Sequence, residues 1–243
     1  MIKSKIKRLV LLLTGQFSHL AKTVNINKKW YGNKYGGFYL CPEFLNKNSI
    51  VYSLGIGEDI SFDLEVINQH NCQIFGFDPT PKSINWIKNH QSLPSKFKFF
   101  EYGIADRSGM IDFYLPKNTK YVSGSFIKQN NVNEKHKIEV EMKSWEDIVN
   151  TLGHKKIDVL KMDIEGAEYN VLDNILISSV LINQILIEFH DRFFEDGKLR
   201  TINAVKKLKE HGYEIYGISD TFEEVSFIKS TILNSKYDSK SKR

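Results

Sequence analysis

Cysteine is scarce in this chain. Cys41 and Cys72 are the only two among 243 residues, and they form no Cys-x-x-Cys pair. That excludes a disulfide-stapled secreted scaffold and makes a reducing compartment the default, so the expected location is cytoplasmic. Long apolar runs are missing too. The run from Leu9 to Leu13 is far short of the roughly 20 residues a bilayer-spanning helix needs. It is also too short for a signal-peptide core and has no small-residue cleavage site after it. No internal repeat or low-complexity segment occurs.

Acid is absent from one end. Residues 1–42 hold eight basic residues and no acidic one, and residues 229–243 hold five basic against one acidic. Residues 43–228 then carry 21 basic against 28 acidic residues. The overall charge of +5 therefore hides an acidic globular part, and an acidic domain face excludes nucleic acid as the expected partner. The chain divides on this basis into a basic N-terminal arm (1–42), one domain (43–229) and a polar C-terminal tail (230–243). Within residues 1–20, basic Lys3 to Arg8 precede the leucines. Two readings stand: a basic amphipathic helix in peripheral contact with an anionic membrane surface, or a helix packing its leucines on the domain.

From residue 50 the pattern is regular. Ile50 to Leu54 reads as a buried strand that runs into Gly55-Ile56-Gly57. Ile60, Leu64 and Ile67 recur at helical spacing over Asp59 to His70. Cys72 to Phe77 is a second strand ending at Asp78-Pro79. Thr80 and Pro81 make a helix start, a cap followed by proline at the first helical position. Lys96 to Tyr102 is a third strand reaching Gly103-Ile104-Ala105-Asp106. Strand–helix alternation of this kind predicts an α/β fold, doubly wound around a mostly parallel sheet. Residues 109–142 interrupt it as a β insertion. Ser144 caps a helix over 145–152, with Asp147 in capping-box position. A strand at 157–162, a helix at 166–176, a strand from Gln184 to Phe189 and a helix from Leu199 to His211 follow. Leu199, Ile202, Val205 and Leu208 share one face of that last helix. Tyr213 to Ile218 and Glu224 to Ile228 close the domain as an antiparallel hairpin. Tyr31 to Phe38 reads as a loop between the arm and the domain, and Gly36-Gly37-Phe38-Tyr39-Leu40 either folds back over the ligand edge as a cover or is a plain connector.

Open α/β sheets bind ligands outside the carboxyl ends of their strands. Gly55 and Gly57 sit there and let a backbone approach a nucleotide-like ligand. The third glycine of the dinucleotide fingerprint is missing. Asp78 ends the next strand, where an acid accepts ribose hydroxyls; an Asx-turn ahead of Pro79 is its structural alternative. Ile104, Ala105 and Asp106 are placed to line an adenine slot. The strand at 157–162 runs into Asp163-Ile164-Glu165-Gly166-Ala167-Glu168, three carboxylates at one edge, and the next strand ends Glu188-Phe189-His190.

The run Val51–Gly57, the strand end Phe77-Asp78-Pro79, Gly103-Ile104-Ala105-Asp106-x-x-x-Met110 and Lys161-x-Asp163-x-Glu165-Gly166-x-Glu168-x-x-Val171-Leu172 together resemble the FkbM-type S-adenosylmethionine-dependent methyltransferases. Glu188-x-His190 is similar to that family as well. The resemblance covers roughly residues 50–190. It implies the class I methyltransferase, Rossmann-like fold, with a seven-stranded sheet whose last strands form an antiparallel pair. It also implies S-adenosyl-L-methionine as cofactor and O-methylation of a sugar, glycan or other hydroxylated small molecule. The family's first strand commonly ends Asp-x-Gly-x-Asn-x-Gly. Here Ser53 stands in the place of the first acid and Asp59 in the place of the last glycine, where it takes part of the methionine-amine contact. This form looks closer to a methyltransferase-like subgroup also seen in animals.

A hydroxyl acceptor must lose its proton. Asp163, His190 and Glu188 are the catalytic candidates, with His190 the more natural general base because imidazole titrates near neutral pH. Glu165 and Glu168 are assigned to substrate, with charge at a helix N-terminus as their structural alternative. Asp163, Glu188 and His190 would also suit a divalent metal, which is not the expectation. A nicotinamide-dependent Rossmann oxidoreductase and a methyltransferase-like binding protein without turnover are the rival functions, the second drawing on Ser53.

Overall fold

The computed structural model describes residues 17–117, 124–127 and 132–234. Residues 1–16, on which the membrane reading mainly rests, and the tail beyond 234 lie outside the described residues. Among the described residues no helix is long and apolar enough to cross a membrane.

The chain opens with a small antiparallel pair, β1 (Lys29–Tyr31) and β2 (Phe38–Leu40). The regular alternation follows: β3 (Ile50–Leu54), α1 (Ser61–His70), β4 (Gln73–Phe77), α2 (Pro81–Lys88) and β5 (Phe97–Phe100). Next come β6 (Gly103–Ala105), β7 (Gly109–Pro116) and β8 (Val132–Ser144), then α3 (Trp145–Leu152), β9 (Lys156–Met162), α4 (Glu168–Leu176), β10 (Leu181–Glu188), α5 (Gly197–Glu210), β11 (Tyr213–Ile218) and β12 (Glu224–Lys229). Seven strands form the main sheet in the order β11–β12–β10–β9–β3–β4–β5. β12 runs antiparallel to both of its neighbours, and the other described pairings in that sheet are parallel. Central strands of a parallel sheet are covered on both faces and therefore read as continuous apolar runs. Val51, Leu54, Ile157, Val159, Leu160, Met162, Ile185, Leu186 and Ile187 are accordingly buried.

Register delivers the site. Leu54 pairs with Phe77 on one side and with Met162 on the other, and Met162 pairs with Ile187. Four adjacent strands thus end level. The residues that follow, Gly55, Asp78, Asp163 and Glu188, emerge side by side at one edge.

The caps fall where the sequence places them. Thr80 Oγ1 accepts from the Ser83 N–H, and Ser144 Oγ accepts from the Asp147 N–H at 3.1 Å. The capping box closes through a third residue. Ser108 Oγ accepts from the Ser144 N–H at 2.9 Å and donates to the Asp147 carboxylate.

Four expectations change. The third strand is cut at Phe100; Gly103–Ala105 leaves the main sheet and pairs with β8 in a separate sheet of order β6–β8–β7, which is the β insertion. Leu199 faces solvent at 58% exposure. Thr201, Ala204, Val205 and Leu208 form the buried face of α5 instead, so the packed stripe is rotated away from Leu199. Packing also crosses the 42/43 line drawn from charge. Tyr31, Phe38, Leu40 and Cys41 are fully buried, and Cys41 exchanges hydrogen bonds with the Gln184 side chain at 3.0 and 3.1 Å. Burial of each large apolar side chain contributes about 1.5–3 kcal/mol, so residues 29–42 belong to the domain core. Finally, residues 230–234, set apart as the start of the polar tail, are helical, with Leu233 buried.

Candidate functional site

A cleft of about 260 Å³ opens at the carboxyl edge of β3, β4 and β9. That is near the lower end for ligand pockets. Its floor carries Gly55, Ile56, Gly57 and Asp78, and one wall carries Asp163, Ile164 and Glu165. The opposite wall is Ile104 with Phe113, Phe126 and Met142 from the insertion, and Tyr35 stands on the rim. Tyr35 is 82% exposed, on a loop held by Asn33. Asn33 Oδ1 accepts from the Tyr35 and Gly36 N–H groups at 2.7 and 3.0 Å, and its Nδ2 donates to Asp59 Oδ2 at 2.6 Å. The fold-back reading of this loop is thus the one the geometry shows.

The two glycines are needed for different reasons. Gly55 sits at φ 80, and a Cβ there would run into the Asp163 carbonyl oxygen. Gly57 sits at φ 57 with open space where a Cβ would go, so only its left-handed backbone favours glycine.

Asp78 lines the cleft, but its carboxylate is spent. Oδ2 accepts from the Ile56 and Gly57 N–H groups at 3.0 and 2.8 Å. Oδ1 accepts from Thr80 N–H and Oγ1 at 2.9 and 2.7 Å. A carboxylate offers about four lone-pair sites, so Asp78 shapes the glycine turn rather than facing a ribose. Asp59 also lines the cleft, and its oxygens accept from Asn33 Nδ2 and from Ser61 N–H and Oγ. Ile104 is on the wall; Ala105 packs against Phe113, Val140 and Met142 instead, and Asp106 is exposed. The aromatic wall was missed by sequence reasoning because residues 113 and 126 lie outside the strand ends that it searched.

The acidic edge is organised around His190, which is 1% exposed. Its Nδ1 bonds Glu168. Its Nε2 lies 3.4 Å from Glu165 Oε2, 3.4 Å from Glu188 Oε1 and 3.7 Å from Asp163 Oδ1. Burial opposes charge on the ring, yet Glu168, Glu188 and Glu165 outweigh it and hold the imidazole well above its ordinary range. The surrounding carboxylates thus favour the protonated ring. His190 does not line the cleft, so it is not the general base expected from its residue type. Glu188 is also off the cleft; burial works against its charge, but His190 and Arg192 keep its carboxyl below the usual range. Glu168 is 1% exposed and serves His190, not a substrate. Glu165 does line the cleft, at φ 55, a left-handed conformation that costs a side chain energy.

Asp163 keeps 25% of its side chain accessible. Burial of its surroundings and the nearby Glu188 push its carboxyl up to about 8, against the pull of Lys161 and His190. Asp163 therefore both faces the cleft and titrates near neutrality. For a metal, Asp163, Glu165 and His190 bring one donor each within 4.8 Å of one another. Glu188 falls with Glu223 and Glu224 instead.

A family profile described as "Methyltransferase FkbM domain" matches residues 42–215. The chain belongs to that family. The FkbM domain has the class I methyltransferase, Rossmann-like architecture: seven strands, one of them antiparallel, with helices between. It is 26% identical over 209 residues to probable methyltransferase-like protein 24 of Homo sapiens, covering 81% of this chain and 50% of that protein. It is 27% identical over 141 residues to the 2-O-methyltransferase NoeI of Sinorhizobium fredii, covering 53% of this chain and 58% of that one. The chain thus spans about half the length of the curated relatives it matches. Among solved structures it is similar to Aeropyrum pernix fibrillarin bound to S-adenosyl-L-methionine, at 9% identity and TM-score 0.42, covering 86% of this chain and 85% of that one. It is also similar to the Geobacter metallireducens precorrin-6y C5,15-methyltransferase, at 14% identity and TM-score 0.40, covering 76% and 80%.

Proposed function

We propose that the chain is an S-adenosylmethionine-dependent O-methyltransferase acting on a hydroxyl of a sugar, glycan or other small natural product. The observation that carries this reading is Asp163, a cleft-facing carboxyl poised at about 8 beside a glycine turn in a fold of this family. The similarity to a 2-O-methyltransferase supports the hydroxyl acceptor. When bound, the cofactor supplies an electrophilic methyl carbon on a sulfonium. Ile104, Phe113 and Phe126 offer apolar cover for its adenine. Glu58, a rim carboxylate with 38% of its side chain accessible, takes the ribose hydroxyls in place of Asp78. Gly55 and Gly57 leave the backbone open to the methionine end. Asp163 accepts the acceptor's proton, and Glu165 holds the acceptor from the same wall.

Calorimetric titration with S-adenosylmethionine, S-adenosylhomocysteine and NAD tests the cofactor. Heat with the two sulfur compounds and none with NAD is expected; silence with both sulfur compounds would remove the reading. The pH dependence has a definite sign. A proton acceptor works ionised, and Asp163 ionises about 8 instead of 3.8, so kcat/KM climbs as pH rises through about 8. A flat kcat/KM profile between about pH 6 and 9 takes Asp163 out of that role.

A further inference from the structure

Lys161 is 4% exposed and spans the seam between the two halves of the cleft. Its Nζ donates to the Gly55 carbonyl at 2.9 Å. The same atom lies 4.0 Å from Asp163 Oδ2 and 5.6 Å from the centre of the Phe38 ring. The seam itself is backbone against backbone. The Asp163 N–H donates to the Leu54 carbonyl at 3.0 Å, and Gly55 has no room for a Cβ against the Asp163 carbonyl. Lys161 also acts on Asp63, a buried carboxyl of α1 that burial pushes up to about 6 and that the lysine pulls back down.

An ammonium is expensive to take out of water unless partnered, and Val159, Leu160 and Met162 around it in β9 are fully buried. A strand in this position needs only an apolar residue to pack. The contacts of Lys161 instead go to the turn that shapes the cofactor side and to the acid that faces the acceptor.

We propose that Lys161 is a positioning residue for methyl transfer: its ammonium clamps the glycine turn to the acidic edge and biases Asp163 toward its ionised, proton-accepting form. This rests on the reading of Asp163 given above. The charges that face Asp163 come from every element around it. Glu165 in the following turn and Glu188 at the end of β10 oppose its ionisation, while Lys161 in β9 and His190 after β10 favour it. Behind Lys161 stand Asp63 and, through it, Asp59.

The test follows the Asp163 carboxyl directly by carbon NMR titration of the full, cofactor-free chain, alongside the pH profile of kcat/KM. Lys161→Met is expected to move the Asp163 midpoint and the acid limb upward by roughly one pH unit or more. Lys161→Arg restores most of that movement. Asp63→Asn moves both downward, because it leaves the ammonium unshared. A lower rate with an unmoved midpoint in Lys161→Met means a merely structural lysine and overturns the proposal. If Lys161→Met does not fold, Asp63→Asn decides: a midpoint that fails to fall overturns it equally. A midpoint that moves as stated in a protein that methylates no acceptor counts against the reaction assigned above, not against the hold of Lys161 on Asp163.

Discussion

Asp163→Asn is expected to lower turnover by about 10²–10⁴-fold, the usual worth of a positioned proton acceptor, and to leave cofactor affinity nearly unchanged. The substitution keeps the shape of the side chain and removes its basicity. Asp163 does not anchor the glycine turn through its carboxylate; the turn is held by Asp78, which accepts from the Ile56 and Gly57 N–H groups, and by Lys161 on Gly55. The same variant has a second expected signature. The folded-state value of Asp163 lies about 8, above its ordinary 3.8. Its contribution to stability is thus full below about 4 and lost as pH rises through about 8. Asparagine carries no such loss, so the variant's melting temperature at alkaline pH equals or exceeds that of the parent. Activity lost with stability gained is the trade expected of a strained functional acid. Calorimetry at pH 6 and pH 9 with a parallel rate assay checks both halves, and a variant that loses rate and stability together would show Asp163 to be structural.

His190→Ala gives the largest expected stability loss. Removing one partner of a buried charge pair costs about 3–5 kcal/mol, because the remaining charge is left uncompensated. Here the remaining charges are Glu168, with no exposure to water, and Glu188, with little. In a domain of this size such a loss lowers the melting temperature on the order of 10 °C. The raised value of His190 sets the direction with pH. Its stabilisation is complete below its ordinary 6.5 and fades as pH climbs through the raised folded value, so the gap between variant and parent narrows on the alkaline side. The double variant with Glu168→Ala recovers part of the loss, since the buried carboxylate leaves with its cation. Additive losses in that cycle would mean that the ring packs but does not pair.

Much of the fold was legible because its central strands are covered on both sides. Ile50–Leu54, Gln73–Phe77 and Lys156–Met162 are apolar runs that end in glycine or acid, and parallel pairing brings such ends level. That logic put Gly55, Asp78 and Asp163 at one edge. It did not reach what each acid does there. The partners of Asp78 are backbone N–H groups of Ile56 and Gly57, and backbone donors leave no mark in a sequence. His190 and Glu168 are 22 residues apart, and the ring is pushed upward by Glu168, Glu188 and Glu165 from separate places in the chain. Residue type alone made His190 the base; its neighbours favour its protonated form. Leu199 misled for a simpler reason, since one leucine at the right spacing fits a helical stripe whether or not the helix turns it inward.

The hairpin of β1 and β2 has its partners at the other end of the chain. Tyr39 O accepts from Tyr216 Oη at 3.1 Å and from Ser226 Oγ at 2.7 Å, across 177 and 187 residues. Lys28 reaches the Tyr216 carbonyl at 2.9 Å across 188. Contacts so distant in sequence slow folding, because the loop must close before they repay it. The hairpin can meet α1 early, through Tyr31 with Gln69 and Phe38 with Phe62, but its contacts with β11 and β12 must wait until those strands have been made. A chain cut short before Glu224 lacks Ser226 for Tyr39 and the strand on which β2 packs, which leaves that side of the hairpin as a ready surface for aggregation.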